Sequence, residues 1–325
     1  MSPATVDAEH QQQRAESAAV TARAARQLWA QTDPAELDRS WAALLPRVVA
    51  LVTAGQLHAA RQADPYLSRV LLGEDAAGQV NAERLSGVDG GGRPLGGLLQ
   101  YPVFVALNRV ARGFSLAWSI ASGAAFLDLL TRTLIADAGR AADLAGMIAR
   151  PRVTSYVRAV ELPACARCIV LAGREYALSE GFARHPRCQC TLAPHRRGDP
   201  VPVMPEDLYA QMSPAQRRRA FGKDAVAALA EGADIAQVVN ARRGMSTGTY
   251  YGRTVQTTSE GTTRRGLYGR RRSTFARADG VQSGQSARPP SRAVSPRLMP
   301  AEIYRLAKGD REHAIRLLRK NGYIV

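Results

Sequence analysis

"CARCIVLAGREYALSEGFARHPRCQC", Cys165 to Cys190, holds all four cysteines of a 325-residue chain in one short run. A C-x2-C spacing lets two thiolates meet one ion from a tight turn, and zinc takes four such ligands in a tetrahedron. Cys165 and Cys168 supply that pair, while His185, Cys188 and Cys190 are three candidates for two remaining places, and spacing does not choose among them. The expectation is a structural zinc. A catalytic zinc needs an open position and a carboxylate beside it; Glu175 and Glu180 fall in the interval, but outside any H-E-x-x-H spacing. The deaminase pattern is also absent, because Ala164 separates Pro163 from Cys165 and no H-x-E occurs. A cysteine nucleophile beside His185 or His195 is disfavoured, since four neighbouring thiols would compete for metal or oxidise together.

Working outward, "RVTSYVRAVE" (Arg152–Glu161) is rich in β-branched residues and reads as a strand. "IVLAGREY" after Cys168 reads as a hairpin turning at Ala172-Gly173, and "CQCTLAP" as a third short strand. The cysteines therefore belong to a small β-unit.

Either side of it the pattern is helical. The chain is 46% hydrophobic but only 6% aromatic, and Ala, Leu and Val supply most of the apolar mass. That composition suits packed helices. Between Gln27 and Leu72, Leu37, Trp41, Leu44 and Leu45 recur at helical spacing, with Thr32 or Asp33 as cap and Pro34 in the first turn. "GVDGGGRPLGG" (Gly87–Gly97) reads as a loop or hinge. Leu98–Ala111 and Leu116–Ile148 read as helices with Gly113, Gly139 and Gly146 as weak points and Pro151 as the stop. His10, His58 and His313 have no partner at ligand spacing and read as surface or helix residues. Beyond "PHRRGDPVPVMP", Ser213-Pro214 opens a helical segment, and two further helices join near Gly232, the second capped by Asp234 and stopped by Gly244. Such a hairpin is far more often a packing unit than a DNA-reading helix-turn-helix. The last residues recover helical spacing with a break at Gly309-Asp310.

The fold expected is mainly α with a small zinc-knuckle β-unit, an α+β chain in five parts. Residues 1–90 form a helical region, 91–200 carry helices and the Cys/His knuckle, 201–250 a helical hairpin, 251–297 a flexible Arg-rich linker, and 298–325 a C-terminal helical hairpin.

The net charge is +16 and the pI lies near 10.5. Such a balance favours polyanionic partners, nucleic acid first and membrane surfaces second. Gly252–Arg297 alone holds ten arginines against two carboxylates, a balance of +8. A segment of this kind buries too little apolar surface to offset its ordering entropy, and Arg264, Arg265, Arg270, Arg271 and Arg272 are its candidate nucleic-acid contacts. Met1–Ala19 lacks the apolar run of a secretory signal, so a reducing compartment is expected, where clustered cysteines hold metal rather than pair. The longest uncharged stretches are Pro94–Asn108 and Gly113–Leu127. Both fall short of the roughly 20 predominantly apolar residues that span a bilayer. No membrane partner is expected.

The ordered set Cys165, Cys168, Gly173, His185, Pro186, Cys188, Cys190 and Pro194 resembles the C-terminal signature of the Mu F-like minor head (head morphogenesis) proteins of tailed phages. The likeness covers about residues 95–195, and "GADIAQVVNARRGM", "SEGTTRRG" and "RLMPAEIYRLA" are similar to C-terminal extensions in phages of actinobacteria. Ala172-Gly173 replaces the family's aspartate-glycine, and "ARHP" its double proline before the histidine. The resemblance implies a non-enzymatic minor capsid protein in the virion, inside the capsid near the portal, and in the host cytoplasm during assembly. Its partners would be the portal protein, the major capsid or scaffold protein, and packaged double-stranded DNA bound without sequence preference. Two rival readings stand beside it. One is a capsid maturation protease, whose Ser, His and Asp a fold would have to assemble. The other is a zinc-type DNA-binding protein or nuclease, for which His185 and His195 are the candidate histidines.

Overall fold

The first helix begins where sequence chemistry starts one: the Ser2 hydroxyl accepts from the Thr5 backbone N–H and Pro3 fills the first turn, opening α1 (Pro3–Trp29). The computed structural model describes residues 2–181, 185, 188, 190–200, 203–242, 245–250, 253–258 and 297–324. They are mainly helical and divide into two compact units. One comprises Met1–Glu161 with Ala172–Val203; the other is built on Met204–Val325 together with the short stretch Leu162–Leu171.

In the first unit α1 is followed by α2 (Leu37–Arg61), α3 (Ala63–Val70), α4 (Leu95–Leu99), α5 (Tyr101–Ala111) and α6 (Leu116–Ile148). Helix α6 starts at Ser115, whose hydroxyl accepts from the Trp118 N–H, and runs over the span the periodicity predicts. Trp29, Trp41, Val52, Leu99, Val103 and Leu127 are buried in one apolar cluster. The Trp29 and Trp41 rings meet edge to face at 5.0 Å. Each indole N–H still finds an acceptor, Trp29 on the Ile120 carbonyl (3.2 Å) and Trp41 on the Leu99 carbonyl (3.0 Å). Buried tryptophans usually satisfy that donor. Leu37–Val70 and Leu116–Ile148 are long and apolar enough to cross a membrane by length and composition. In this fold both contribute buried side chains to the core cluster.

Several expectations change here. Helix α1 lies in the region expected to be helical, but the sequence marks no individual helix before Gln27, because the face it buries mixes His10, Gln11, Arg14 and Thr21 with its apolar residues. Helix α2 starts at Leu37 rather than at Pro34, since Asp33 turns its carboxylate onto the Ala35 N–H (2.9 Å) instead of capping. Asp side chains close such local turns readily. The glycine-rich stretch is a pinned loop that continues into α4: Gln56 of α2 accepts from the Gly87 N–H (2.8 Å) and donates to the Val88 carbonyl (2.8 Å). Gly113, at φ +82°, does end a helix, consistent with its reading as a break. Gly139 and Gly146 are contact points instead of weak points. A Cβ at Gly139 would lie 2.6 Å from Arg14 Nε, and one at Gly146 would lie 2.5 Å from Leu67 Cδ1.

The β-unit has order β2-β1-β3, with β1 (Ser155–Ala159) paired antiparallel to both β2 (Glu175–Ala177) and β3 (Thr191–His195). The expected strand is therefore the central one. The expected hairpin over "IVLAGREY" does not form. The Cys165 carbonyl accepts from the Cys168 and Ile169 N–H groups (both 3.0 Å), winding the chain into α7 (Ala166–Ile169), so only Glu175–Ala177 reaches the sheet. Local turn closure overrides the β propensity of Ile169 and Val170.

The second unit carries α8 (Pro205–Gln211), α9 (Pro214–Phe221), α10 (Lys223–Ala230), α11 (Ile235–Asn240), β4 (Met245–Tyr250), β5 (Arg253–Thr258), β6 (Arg297–Leu298), α12 (Pro300–Ala307) and α13 (Arg311–Lys320). Ser213 and Gln216 form a reciprocal capping box. Asp234 caps α11 by accepting from the Gln237 N–H (2.7 Å). Lys308, at φ +49°, and Gly309 make the predicted break before Asp310 caps α13. Strands β4, β5 and β6 form a second antiparallel sheet where helix and then linker were expected. Arg297 is 1% exposed. Its guanidinium lies 4.4 Å over the Tyr323 ring and donates to the Asn321 carbonyl (3.2 Å) and Gln237 Oε1 (2.9 Å), so this arginine serves the core rather than a flexible segment. Arg264, Arg265, Arg270, Arg271 and Arg272 lie outside the described residues.

Candidate metal centre

Cys165 is the cap residue of α7, and Cys168 sits one helical turn along, so the helical turn brings both members of the C-x2-C pair to one end of the short helix. A second tight turn, with the Cys188 N–H donating to the His185 carbonyl (3.0 Å), does the same for the later ligands just before β3. The Cys165 and Cys168 sulfurs and an imidazole nitrogen of His185 all lie within 4.8 Å of one another, as do the sulfurs of Cys168, Cys188 and Cys190. Tetrahedral zinc with Zn–S of about 2.3 Å places sulfurs about 3.8 Å apart, so either set matches the spacing a metal needs. Cys168 is common to both. All four cysteines are thiols; Cys165 is exposed, and Cys168, Cys188 and Cys190 are buried. The structure thus brings together all five residues predicted from the spacing, and they form groups able to hold a metal. His195 lies in β3 and, with Glu175 and Glu180, belongs to neither group among the described residues.

Two arginines that sequence reasoning missed support the cluster. Arg140 Nη1 donates to the carbonyls of Cys188 (3.2 Å) and Cys190 (3.0 Å), pinning the backbone between those sulfurs. Arg158, on the central strand, lies with Nη2 3.5 Å from the Cys188 sulfur. Guanidinium groups this close favour negative charge on sulfur, the form that binds metal. Burial disfavours the charged form of Arg140 and holds its pKa below the ordinary arginine value, against the opposing Asp137 carboxylate at 2.6 Å. No local pattern marks either arginine, because the contacts span between 30 and 50 residues of sequence.

A second buried polar group was also missed. His10, expected as a surface or helix residue, is a helix residue but is 2% exposed. Its ring stacks on Tyr66 at 3.9 Å, and Nε2 lies 3.0 Å from Asp143 Oδ1. Arg14 binds the other Asp143 oxygen and also contacts His10 Nε2. Tyr66 donates to Asp7 Oδ1 (2.7 Å). Burial pushes Asp143 upward, but Arg14 and His10 outweigh it and hold the carboxyl below its ordinary value. Asp7 goes the other way: burial, with the nearby charges of Glu161 and Asp143, outweighs the Tyr66 hydrogen bond and lifts it from 3.8 to about 6.

Comparison of the chain with protein-family models, with curated proteins and with solved structures finds no match.

Proposed function

We propose that this chain is a minor head protein of a tailed phage, a structural component that acts without catalysis inside the capsid near the portal. The observation that carries the reading is the grouping of Cys165, Cys168, His185, Cys188 and Cys190 in the order of the Mu F-like signature. In this reading a structural zinc takes four ligands from those five residues and makes the β-unit a rigid docking point. Its binding free energy is folding free energy for the surrounding turns. Arg264, Arg265, Arg270, Arg271 and Arg272 neutralise phosphates of packaged double-stranded DNA without reading sequence. A protein partner, the portal or the major capsid or scaffold protein, is supported by the corner between α5 and α6. There Tyr101, Phe104, Leu107, Val110, Phe114 and Trp118 are each between 42% and 53% exposed. Apolar side chains exposed together at one corner are what a docking face requires.

The test is quantitative peptide mass spectrometry of purified mature particles of the phage encoding this chain. Intact protein at a copy number comparable to the portal is the expected result. Absence from the particle would overturn the reading, and recovery only as trimmed fragments would shift it to the maturation protease or another assembly factor.

A further inference from the structure

Helices α1 and α6 enclose a cavity of about 350 Å³ whose polar lining is Gln11, Arg14, Arg26, Asp128, Arg132 and Arg140. Four guanidinium groups thus face one carboxylate. Asp128 is held by Arg132 at 2.9 Å, with Arg26 at 3.8 Å. Arg140 spends its Nη atoms on Asp137 and on the Cys188 and Cys190 carbonyls, and Arg14 spends Nη2 on Asp143. Counting Asp137 and Asp143 as well, four arginines meet three aspartates among the described residues.

The donors are not exhausted. Nε and Nη1 of Arg14 and Nε of Arg140 are buried donors, and Oε1 of Gln11 is a buried acceptor, with no hydrogen-bond partner among the described residues. Their residues are 3%, 5% and 7% exposed, respectively. Leaving a buried charged donor unsatisfied is costly, so three guanidinium N–H groups on one cavity call for an acceptor that the described residues do not supply. Guanidinium forks match oxyanions, and a phosphate has oxygens enough to accept from arginines on both helices at once. The cavity lies at the lower end of the roughly 300–1,000 Å³ range of small-molecule sites, larger than a bare phosphate needs and too small for a duplex.

We infer that this cavity is a binding site for a small phosphate-bearing molecule, recognised by Arg14, Arg132 and Arg140. The site is independent of the head-protein reading. Cys188 also lines the cavity, and Arg140 holds the Cys188 and Cys190 carbonyls, so an anion here lies beside the candidate metal cluster.

The test is isothermal titration of the full chain, purified with its metal, against inorganic phosphate and adenosine monophosphate at constant ionic strength. Saturable binding with a dissociation constant at or below about 1 mM is expected for at least one probe. A nucleotide bound at least about tenfold tighter than phosphate identifies a phosphomonoester ligand, and equal affinities identify the free anion. Arg140→Met should weaken binding at least about tenfold. Because that change also removes the carbonyl contacts, Ala136→Leu, which fills the cavity, and Arg132→Gln are measured beside it on variants whose circular dichroism matches the parent. The proposal is overturned if neither probe saturates, or if binding survives Ala136→Leu and Arg132→Gln unchanged.

Discussion

His10 Nε2 on α1 lies 3.0 Å from Asp143 Oδ1 on α6, across 133 residues of sequence, with side chains 2% and 0% exposed. Arg14, one turn further along α1, takes the other oxygen, so one carboxylate fixes how α1 packs on α6. Removing one partner of a buried pair leaves an uncompensated charge, which costs about 3–5 kcal/mol, whereas replacing both by apolar groups costs far less. Asp143→Ala should therefore destabilise the protein by about 3–5 kcal/mol in urea unfolding, and Arg14→Met/Asp143→Leu by clearly less than the sum of the single changes. Strict additivity would refute the coupling.

Asp7 gives a pH dependence of opposite sign to that of Asp143. A carboxyl lifted from 3.8 to about 6 binds its proton more tightly folded than unfolded. Its contribution is favourable to folding at low pH and lost as pH rises from about 4 through 6. Asp143, held low, contributes stability above its unfolded value that is lost as pH falls through its folded one. The Asp7 shift corresponds to at most about 3 kcal/mol, which partial solvent contact reduces to roughly 1–2 kcal/mol. Asp7→Asn keeps an acceptor for Tyr66 and removes the charge. Melting profiles should show it more stable than the parent at pH 7.5 and close to it at pH 4; the reverse order would contradict the assignment.

Metal content separates the members of the cysteine cluster. Cys168 belongs to both ligand groups, whereas Cys165 is exposed and belongs to one. Elemental analysis of the reduced protein should find about one zinc per chain. Cys168→Ser should remove more of it than Cys165→Ser does. A strong chelator should raise hydrogen exchange across residues 152–195 while α1, α2 and α6 keep their protection. Metal-free wild-type protein would leave the cluster a thiol knot and nothing more.

Gly123 tests close packing against helix propensity. In an exposed helix Gly→Ala stabilises by about 1 kcal/mol. Here a Cβ would lie 2.5 Å from the Trp29 ring and 2.9 Å from the Pro102 carbonyl oxygen, an atom that cannot swing aside. Gly123→Ala should lower stability by about 1–3 kcal/mol, an overpacking cost that exceeds the propensity gain. A variant as stable as the parent would mean that α5 and α6 are less tightly apposed than this geometry requires.

DNA affinity is expected to be electrostatic. Each phosphate neutralised contributes about 0.9 to the slope of log affinity against log salt, so changing Arg264, Arg265, Arg270, Arg271 and Arg272 to Gln should flatten it by about 4–5. Fluorescence anisotropy with a random-sequence duplex between low and high salt reads this directly. An unchanged slope would move the DNA contact to another surface.

The sequence alone carried the helical character, the span of α6, the central strand of the first sheet, the helix starts at Ser213 and Asp234, the break at Gly309-Asp310, and the five residues of the candidate metal cluster. All of these are local: a cap, a knuckle and an apolar periodicity each need only a turn or two of chain. Only the tertiary structure decided the rest. Helix α1 holds through His10 and Arg14, whose partner Asp143 lies far along the chain on α6. Gly139 and Gly146 look like flaws in a helix until Arg14 and Leu67 are seen filling the space a Cβ would take. Arg297 counts as one more charge on a basic segment until Tyr323, Asn321 and Gln237 enclose it. Buried polar groups are stable only when distant partners satisfy them, and no window along a single chain contains both halves of such a bond.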